Sequence, residues 1–460
     1  MSNSYSFIIF RLLVIAVLSR AVYRRFVHPL HIYPGPFLAS ITNVWKFYHY
    51  LQGSLQVVEQ DIHQQYGPIV RTGPNSLSFS TPAAFDSIYG FNHGFEKGSF
   101  YAFARDKSTG ASNIFSARTH AEHRDRRRKV VGGALTTSHI RSYSPIVAKN
   151  VQQFLSKLST ASADAKNNVL NIAEPVHALT FNTVAELIYG PSLSVTDQPW
   201  TDIASGEGIL TAFRAMAKFA WGASHIPSLS WLFSTSPVIK MTQRPTFNAA
   251  GLPTGIGALA RRARLLLLED PNLVTGVDQP SIAKSMLVIG KEDSRHMGPD
   301  EMFRECFNLL FAGTGSTAAA LTGALERLGS QDAFPREIQP GAEMAIAGVE
   351  TPLPVGTVVA SNSWIVSHDK GVWGSDAGLW KPERWLDAKG DAGKKSLEDK
   401  FIVFSKGPRG CIGRDIAMLI VTQAVAAIVS RWRIETIGEM KSGAWLEMQI
   451  EWCGLKFTKL

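Results

Sequence analysis

One segment constrains this chain more than any other: Phe401-Ile-Val-Phe404-Ser-Lys-Gly407-Pro-Arg409-Gly410-Cys411-Ile-Gly413-Arg414. Its three glycines let the backbone turn tightly and approach a flat ligand closely. Beyond Cys411, Ile412, Ile416, Leu419, Ile420 and Val421 fall on one apolar face, which predicts a helix. A cysteine just before a helix is drawn toward its thiolate by the helix dipole. Such a thiolate is a soft, strongly donating axial ligand for haem iron. Arg409 carries a planar guanidinium able to pair with a haem propionate. Taken alone, the loop also reads as a Gly-rich turn that happens to hold a buried cysteine.

Composition narrows the setting. With 45% hydrophobic and 18% charged residues among 460, the chain builds a large core and is not disordered. Its cysteines, Cys306, Cys411 and Cys453, are too few for a disulfide scaffold. No C-x-x-C pair occurs, which excludes a zinc ribbon, a thioredoxin-type site and covalent haem attachment. A net charge of +9 suits a membrane surface, a nucleic acid or an acidic protein partner without choosing among them.

Residues Phe7 to Leu18 are apolar except for Arg11, and Arg20, Arg24 and Arg25 follow. The run is shorter than the ~20 residues that span a bilayer comfortably. Its basic flank still places the rest of the chain on the cytosolic side of a membrane. Residues 1–27 are read as an anchor, with a buried helix or a cleaved signal peptide as the alternatives. Residues 28–36, with Tyr33-Pro34-Gly35-Pro36, form a stiff Pro-rich hinge, and 37–460 form the globule. Short β runs are expected near Pro68–Thr72 and Leu77–Ser80. Helical periodicity dominates from Ile146 to Leu328, with stops at Pro191, Pro227, Pro237 and Pro253. A strand-turn-strand is expected over Ala345–Ala360, so the chain reads as mainly α with a minor β part.

The string F-x-x-G-x-R-x-C-x-G, present as Phe404, Gly407, Arg409, Cys411 and Gly413, resembles the haem-binding signature of the cytochrome P450 superfamily. The resemblance runs along most of the chain and implies the cytochrome P450 fold, a single large haem domain behind an N-terminal membrane anchor. Cys411 then becomes the axial ligand of haem b. His123-Arg-Asp-Arg-Arg127 is similar to the family's W-x-x-x-R, which assigns Arg127 and His123 to the propionates. Pro335-Arg336 resembles the strand entry whose arginine reaches a propionate. Ala312-Gly-Thr-Gly-Ser-Thr317 looks like the oxygen-activation stretch A-G-x-[D/E]-T, with Ser316 and Thr317 as its hydroxyls. Its glycines are expected to loosen the helical ladder beside the iron. Gly315 stands where the family has its acid, which leaves two alternatives: a water chain through the gap, or chemistry that needs less protonation.

The implied activity is monooxygenation of a small lipophilic compound, as in fungal secondary metabolism. The implied partners are NADPH-cytochrome P450 reductase, with cytochrome b5 as a second donor, at the endoplasmic reticulum membrane with the catalytic domain cytosolic. The basic run Arg124–Lys129 reads as a docking face for that reductase or as a solvated helix face. One family element is missing. The E-x-x-R helix should precede Pro335, yet Pro335 follows Gly329 by only six positions, and Thr317 lies 94 positions from Cys411, several tens fewer than the resemblance implies. Glu292–Arg295 and Glu301–Arg304 fit the pattern but both precede the central helix and are rejected. Arg384, in Lys381-Pro-Glu-Arg384, thus loses its ion network, and Glu337 or Glu343 are the nearest acids after the gap.

Three rivals remain. Gly313-x-Gly315-x-x-Ala318 followed by Asp332 mimics a dinucleotide fingerprint but lacks its leading strand. A nucleic-acid binder built on Arg124–Lys129 lacks interleaved aromatics, so no nucleic acid is expected. The third is a membrane-anchored remnant that keeps the family outline without turnover.

Overall fold

A computed structural model describes residues 2–91, 94–105, 111–164, 169–191, 218, 221–226, 246–247, 253–326, 336–337, 346–388, 390–445 and 447–460. The chain divides into two compact units: Met1–Phe100 with His225–Pro227 and Asp332–Pro408, and Tyr101–Ser224 with Ser228–Gln331 and Arg409–Leu460.

The first unit opens with helix α1 (Ser2–Val22), which runs on through a π-helical turn at Tyr23–Val27. Residues Tyr5–Val27 are long and apolar enough to cross a membrane, and none of this stretch is buried. The helix outruns the expected apolar stretch because Ala21, Val22, Phe26 and Val27 continue it past the arginines. The guanidinium carbon of Arg11 lies 4.2 Å from the centre of the Phe7 ring, a cation–π contact that gives the charge a partner within the apolar stretch. The Pro-rich residues that follow are fastened down. Pro29–Ile32 make a 3₁₀ turn with Leu30 fully buried, and Pro34 O accepts the Arg71 N–H at 2.7 Å. Gly35 is required there, since a Cβ would overlap the Arg71 backbone.

Strands β1 (Ile69–Gly73) and β2 (Ser76–Phe79) pair antiparallel where the sequence predicts them. They join β3 (Glu96–Lys97), β5 (Arg336–Glu337) and β6 (Val358–Ser361) in the order β1-β2-β6-β5-β3. Leu77, Phe79, Phe85, Ile88, Val359 and Ile402 fill the core beneath. The strand-turn-strand expected over Ala345–Ala360 is reduced to β6 among the described residues. Pro352 and Pro354 bring no N–H for a ladder, and the chain turns instead, Thr357 N–H donating to Pro354 O.

The second unit is built from α2 (His120–Ala134), α3 (Thr137–Asp164), α4 (Ala173–Tyr189), α5 (Pro299–Glu326) and α6 (Arg414–Val429). A sheet of β4 (Val169–Asn171), β7 (Trp432–Trp445) and β8 (Glu447–Lys459) completes it, with β8 in the middle. Helix α4 is apolar nearly all round and correspondingly buried. Gly190, at φ +75°, ends it, and Pro191 bars any continuation. The β4 strand breaks the helical stretch expected from Ile146 onward. Asn171 Oδ1 accepts the Cys453 N–H and Ile172 N–H donates to Cys453 O, so β8 captures this segment. Pro227 and Pro237 lie outside the described residues, and Pro253 opens a two-residue strand. Mainly helical with small sheets, the molecule matches the expected class.

Candidate active site

Helix α6 starts at Arg414 with Gly413 as its N-cap and no side-chain cap. The N–H groups that every helix start leaves over must find a partner. Here the N–H groups of Gly413 and Arg414 donate to the Cys411 sulfur, so the cysteine itself does the capping. Cys411 is exposed as a residue, yet the protein packed round its sulfur pushes the thiol up. Those two N–H groups and the charge of Arg127 pull it down without winning. The sequence expectation that the helix start alone yields a thiolate is therefore corrected. In the chain alone, desolvation outweighs those N–H groups and that charge. Cys306 and Cys453 are buried with no such cradle; burial pushes Cys453 up to about 12 and Cys306 further still.

Two arginines hold the loop. Arg409 donates from Nη1 to Ala117 O at 2.9 Å and from Nη2 to Arg118 O at 2.6 Å, tying the loop to the segment that enters α2. Arg127 reaches Gly410 O from Nη1 at 3.5 Å, and His123 is buried one turn earlier on α2. The basic run is not a bare solvated face. Arg126 and Lys129 both pair with Glu301 in the first turn of α5, and Arg128 pairs with Asp125. Arg124 and Arg128 are exposed. The engagement of Glu301 agrees with the rejection of Glu301–Arg304 as the missing pair.

Helix α5 packs against α6 and carries the oxygen-activation stretch. It is helical without interruption, so the expected loosening at its glycines does not occur. The glycines serve close packing instead. A Cβ at Gly313 would lie 3.0 Å from Val184 Cγ1 of α4, and one at Gly315 would lie 2.7 Å from Glu447 Cδ and overlap its carboxylate. The gap at 315 is thus filled by Glu447 of β8 and not by a water chain. Thr314 and Ser316 donate to the carbonyls one turn back, Leu310 O and Ala312 O, both at 2.6 Å. Ala312 is exposed and Ser316 half-buried, so they form the open face, whereas Thr317 is buried in the core. Because Gly313 and Gly315 sit inside a helix, the dinucleotide reading fails.

The remaining predicted residues belong to the first unit. Phe404 meets Phe401 edge-on at 5.9 Å. Gly407 is left-handed at φ +69°, with the carbonyls of Tyr89 and Gly90 where a Cβ would stand. Arg336 lies on β5, its backbone paired with Lys97 and Val359. Asp369 caps the turn of helix Lys370–Trp373 by accepting the Val372 N–H. Arg384 donates to Trp373 O and Asp376 O at 2.8 and 2.7 Å and pairs with Asp376 at 2.9 Å. Among the described residues its acidic partner is Asp376, eight residues back; Glu343 and the side chain of Glu337, the acids expected from proximity to the gap, lie outside what the structure describes. Sequence reasoning also missed Glu447, for which no spacing signal exists.

Three relatives and a family profile bear on this arrangement. The profile described as Cytochrome P450 matches residues 34–340 and 332–444, and the two stretches meet within 332–340. The chain is 26% identical to cytochrome P450 monooxygenase cicH of Emericella nidulans, over 87% of each chain. It is 25% identical to quiannulatic acid synthase of Emericella variicolor over 86% of each. It is 24% identical to pisatin demethylase of Fusarium vanettenii, covering 90% of this chain and 87% of that one.

Proposed function

The chain belongs to the cytochrome P450 family as one of its monooxygenases, and from that premise we propose that it inserts one oxygen atom of dioxygen into a small lipophilic substrate of fungal secondary metabolism. The observation that carries this reading is Cys411, an exposed residue just before α6 whose sulfur, packed round by protein, accepts the N–H groups of Gly413 and Arg414. The donor set fits haem, because a thiol held up by desolvation and cradled by N–H groups deprotonates on an iron cation. Bound haem b supplies the redox chemistry that splits dioxygen, with electrons from NADPH delivered by a reductase or by cytochrome b5.

This chain's own residues do the rest. The two N–H groups draw charge from the sulfur and set its donor strength. His123, Arg127, Arg336 and Arg409 are the groups for the propionates, and Phe404 and Gly413 line the loop. Of these, Arg409 also fixes the loop through its bonds to Ala117 and Arg118. Ser316 holds a mobile hydroxyl proton on the open face of α5. The apolar helix through Val27 anchors the protein in the endoplasmic reticulum membrane, with Arg124 and Arg128 available to an acidic reductase surface.

A second reading, a remnant without turnover, rests on the absent E-x-x-R helix. The family match changes stretch within 332–340, beside Pro335, which the sequence expects that helix to precede. The alignment with the cicH relative runs over 457 positions, more than 87% of this chain can fill, so this chain is gapped against it. The test for both readings is the carbon monoxide difference spectrum of the reduced protein. A thiolate-type band is expected for the full chain, lost in Cys411→Ala and kept in Cys306→Ala and Cys453→Ala. A band that survives Cys411→Ala removes the assignment; no band in any variant leaves the remnant.

A further inference from the structure

We propose that Glu447 supplies from β8 the acid that residue 315 lacks, so that the proton-delivering carboxyl of the oxygen-activation stretch comes to α5 from another strand. The proposal rests on the monooxygenase reading above and adds a residue to it. The first observation is steric. The Glu447 carboxylate occupies the space that a side chain at 315 would enter, with Cδ 2.7 Å from the position of a Cβ. The second is the choice of residue. Glycine inside a 28-residue helix weakens it relative to alanine, so its presence calls for a compensating use of the space. Gly313, two residues earlier, admits an apolar methyl of Val184; Gly315 admits a carboxylate. The third is the setting. Gly315, Ala318, Ala319 and Thr322 line a small cleft together with His177 of α4 and Met448 to Ile450, so β8 lies along this face of α5.

Residue 315 adjoins Ser316, whose hydroxyl lies on the open face of the helix. Forming water from one oxygen atom takes two electrons from NADPH and two protons from solvent. Glu447 as the carboxylic acid gives up a proton towards Ser316 and the open face, and takes the next from solvent. It acts through Ser316 and is a positioning and relay residue.

The test uses the full-length chain in three measurements. First, the solvent deuterium isotope effect on reductase-coupled NADPH oxidation is read for the haem-loaded protein. Glu447→Gln keeps the shape without the acid and should slow oxidation by about a hundredfold with a larger isotope effect. Second, Gly315→Ala, which pushes the carboxylate aside, should slow oxidation comparably, and Glu447→Ala/Gly315→Ala should be no slower than either alone. Glu447→Ala/Gly315→Asp, with the acid returned to the helix, should recover most of the rate. Third, melting of the haem-free protein should show Gly315→Ala more stabilising in the Glu447→Ala background than in the natural one. Additive melting shifts, or a loaded Glu447→Gln protein with an unchanged rate and isotope effect, would overturn the proposal. A chain that shows no thiolate-type band overturns the monooxygenase reading instead, and the melting cycle still decides the placement of Glu447.

Discussion

The α4–α5–α6 core and the segment from residue 346 to 400 belong to the same family outline, yet they are finished to different degrees. In α4, 15 of 17 residues are buried, α5 packs on α4 and α6 packs on α5, with Leu310, Leu321, Ile420, Ala424 and Ile428 fully covered. In the other segment, the helices Lys370–Trp373, Glu383–Leu386 and Gly390–Lys400 contain no buried residue. Leu379, Trp380, Trp385 and Leu386 are exposed, Leu386 at 82%. Full burial of such side chains is worth about 1.5–3 kcal/mol each, which this segment forgoes. Its local structure survives because its bonds are short-range: Asp369 caps its own helix, and Arg384 closes on Asp376. Local bonds hold a segment in shape without burying it.

The largest effect expected from this contrast comes from restoring the partner. Inserting a family-like E-x-x-R segment between Phe334 and Pro335 gives Arg384 back a buried network and the exposed tryptophans a surface to pack on. Removing partners from such a network typically costs about 3–5 kcal/mol, a large share of ordinary stability. The insertion should therefore raise haem loading and reductase-coupled oxidation together, read as the carbon monoxide difference band and NADPH consumption. Gly315→Asp alone should raise neither, because it displaces Glu447 and repairs nothing in the first unit. If the unmodified chain already loads haem stoichiometrically and turns over, the segment is dispensable and the contrast carries no functional weight.

The sequence was legible where one short string does the work. The loop around Cys411, the helix behind it, the hairpin of β1 and β2 and the mainly helical class all follow from local spacing. Three features escaped it for one reason. Glu447 reaches Gly315 across two elements, β4 is a strand only because β8 pairs with it, and Asp376 meets Arg384 only because the chain turns back at Gly374, at φ +92°. Each depends on tertiary neighbours, which periodicity does not encode. The thiol of Cys411 is a different miss. Dipole reasoning gave the right neighbours and the wrong net sign, because desolvation depends on packing around the sulfur.

The finished core carries its own cost, which gives the next effect in size. Glu305 of α5 is fully buried, accepts the Ile114 N–H at 3.1 Å, and is pushed up to about 7, chiefly by desolvation. Its pKa in the fold lies above its unfolded value near 4.5. The stability from its protonated form is thus complete below about pH 4.5 and lost as pH rises through about 7. The loss amounts to roughly 3 kcal/mol from a shift of this size. Glu305→Gln keeps an acceptor for Ile114 and removes the charge. It should flatten the fall in denaturant midpoint between pH 5 and 7 and leave the protein more stable at pH 8. An unchanged pH profile would mean that Glu305 is not the group that weakens the core as pH rises.

The smallest effect sharpens the comparison from the other side. Arg384 pairs with Asp376 near the surface, where the arginine holds the carboxyl of Asp376 below the usual carboxylate range. Stability from a lowered carboxyl is present above its unfolded pKa and disappears as pH falls through the folded one, so any contribution should vanish only in acid. Water reaches this pair, and the Trp373 and Asp376 carbonyls that Arg384 also binds can turn to water when it is removed. Asp376→Asn should hence leave the melting temperature at pH 7 nearly unchanged in the natural chain. In a chain carrying the inserted segment, Arg384→Ala should lower it clearly, since the arginine then answers to a buried acid. A large loss from Asp376→Asn in the natural chain would show that the local pair has replaced the missing network in strength as well as in position. The two regions would then differ in burial without differing in how firmly they are held.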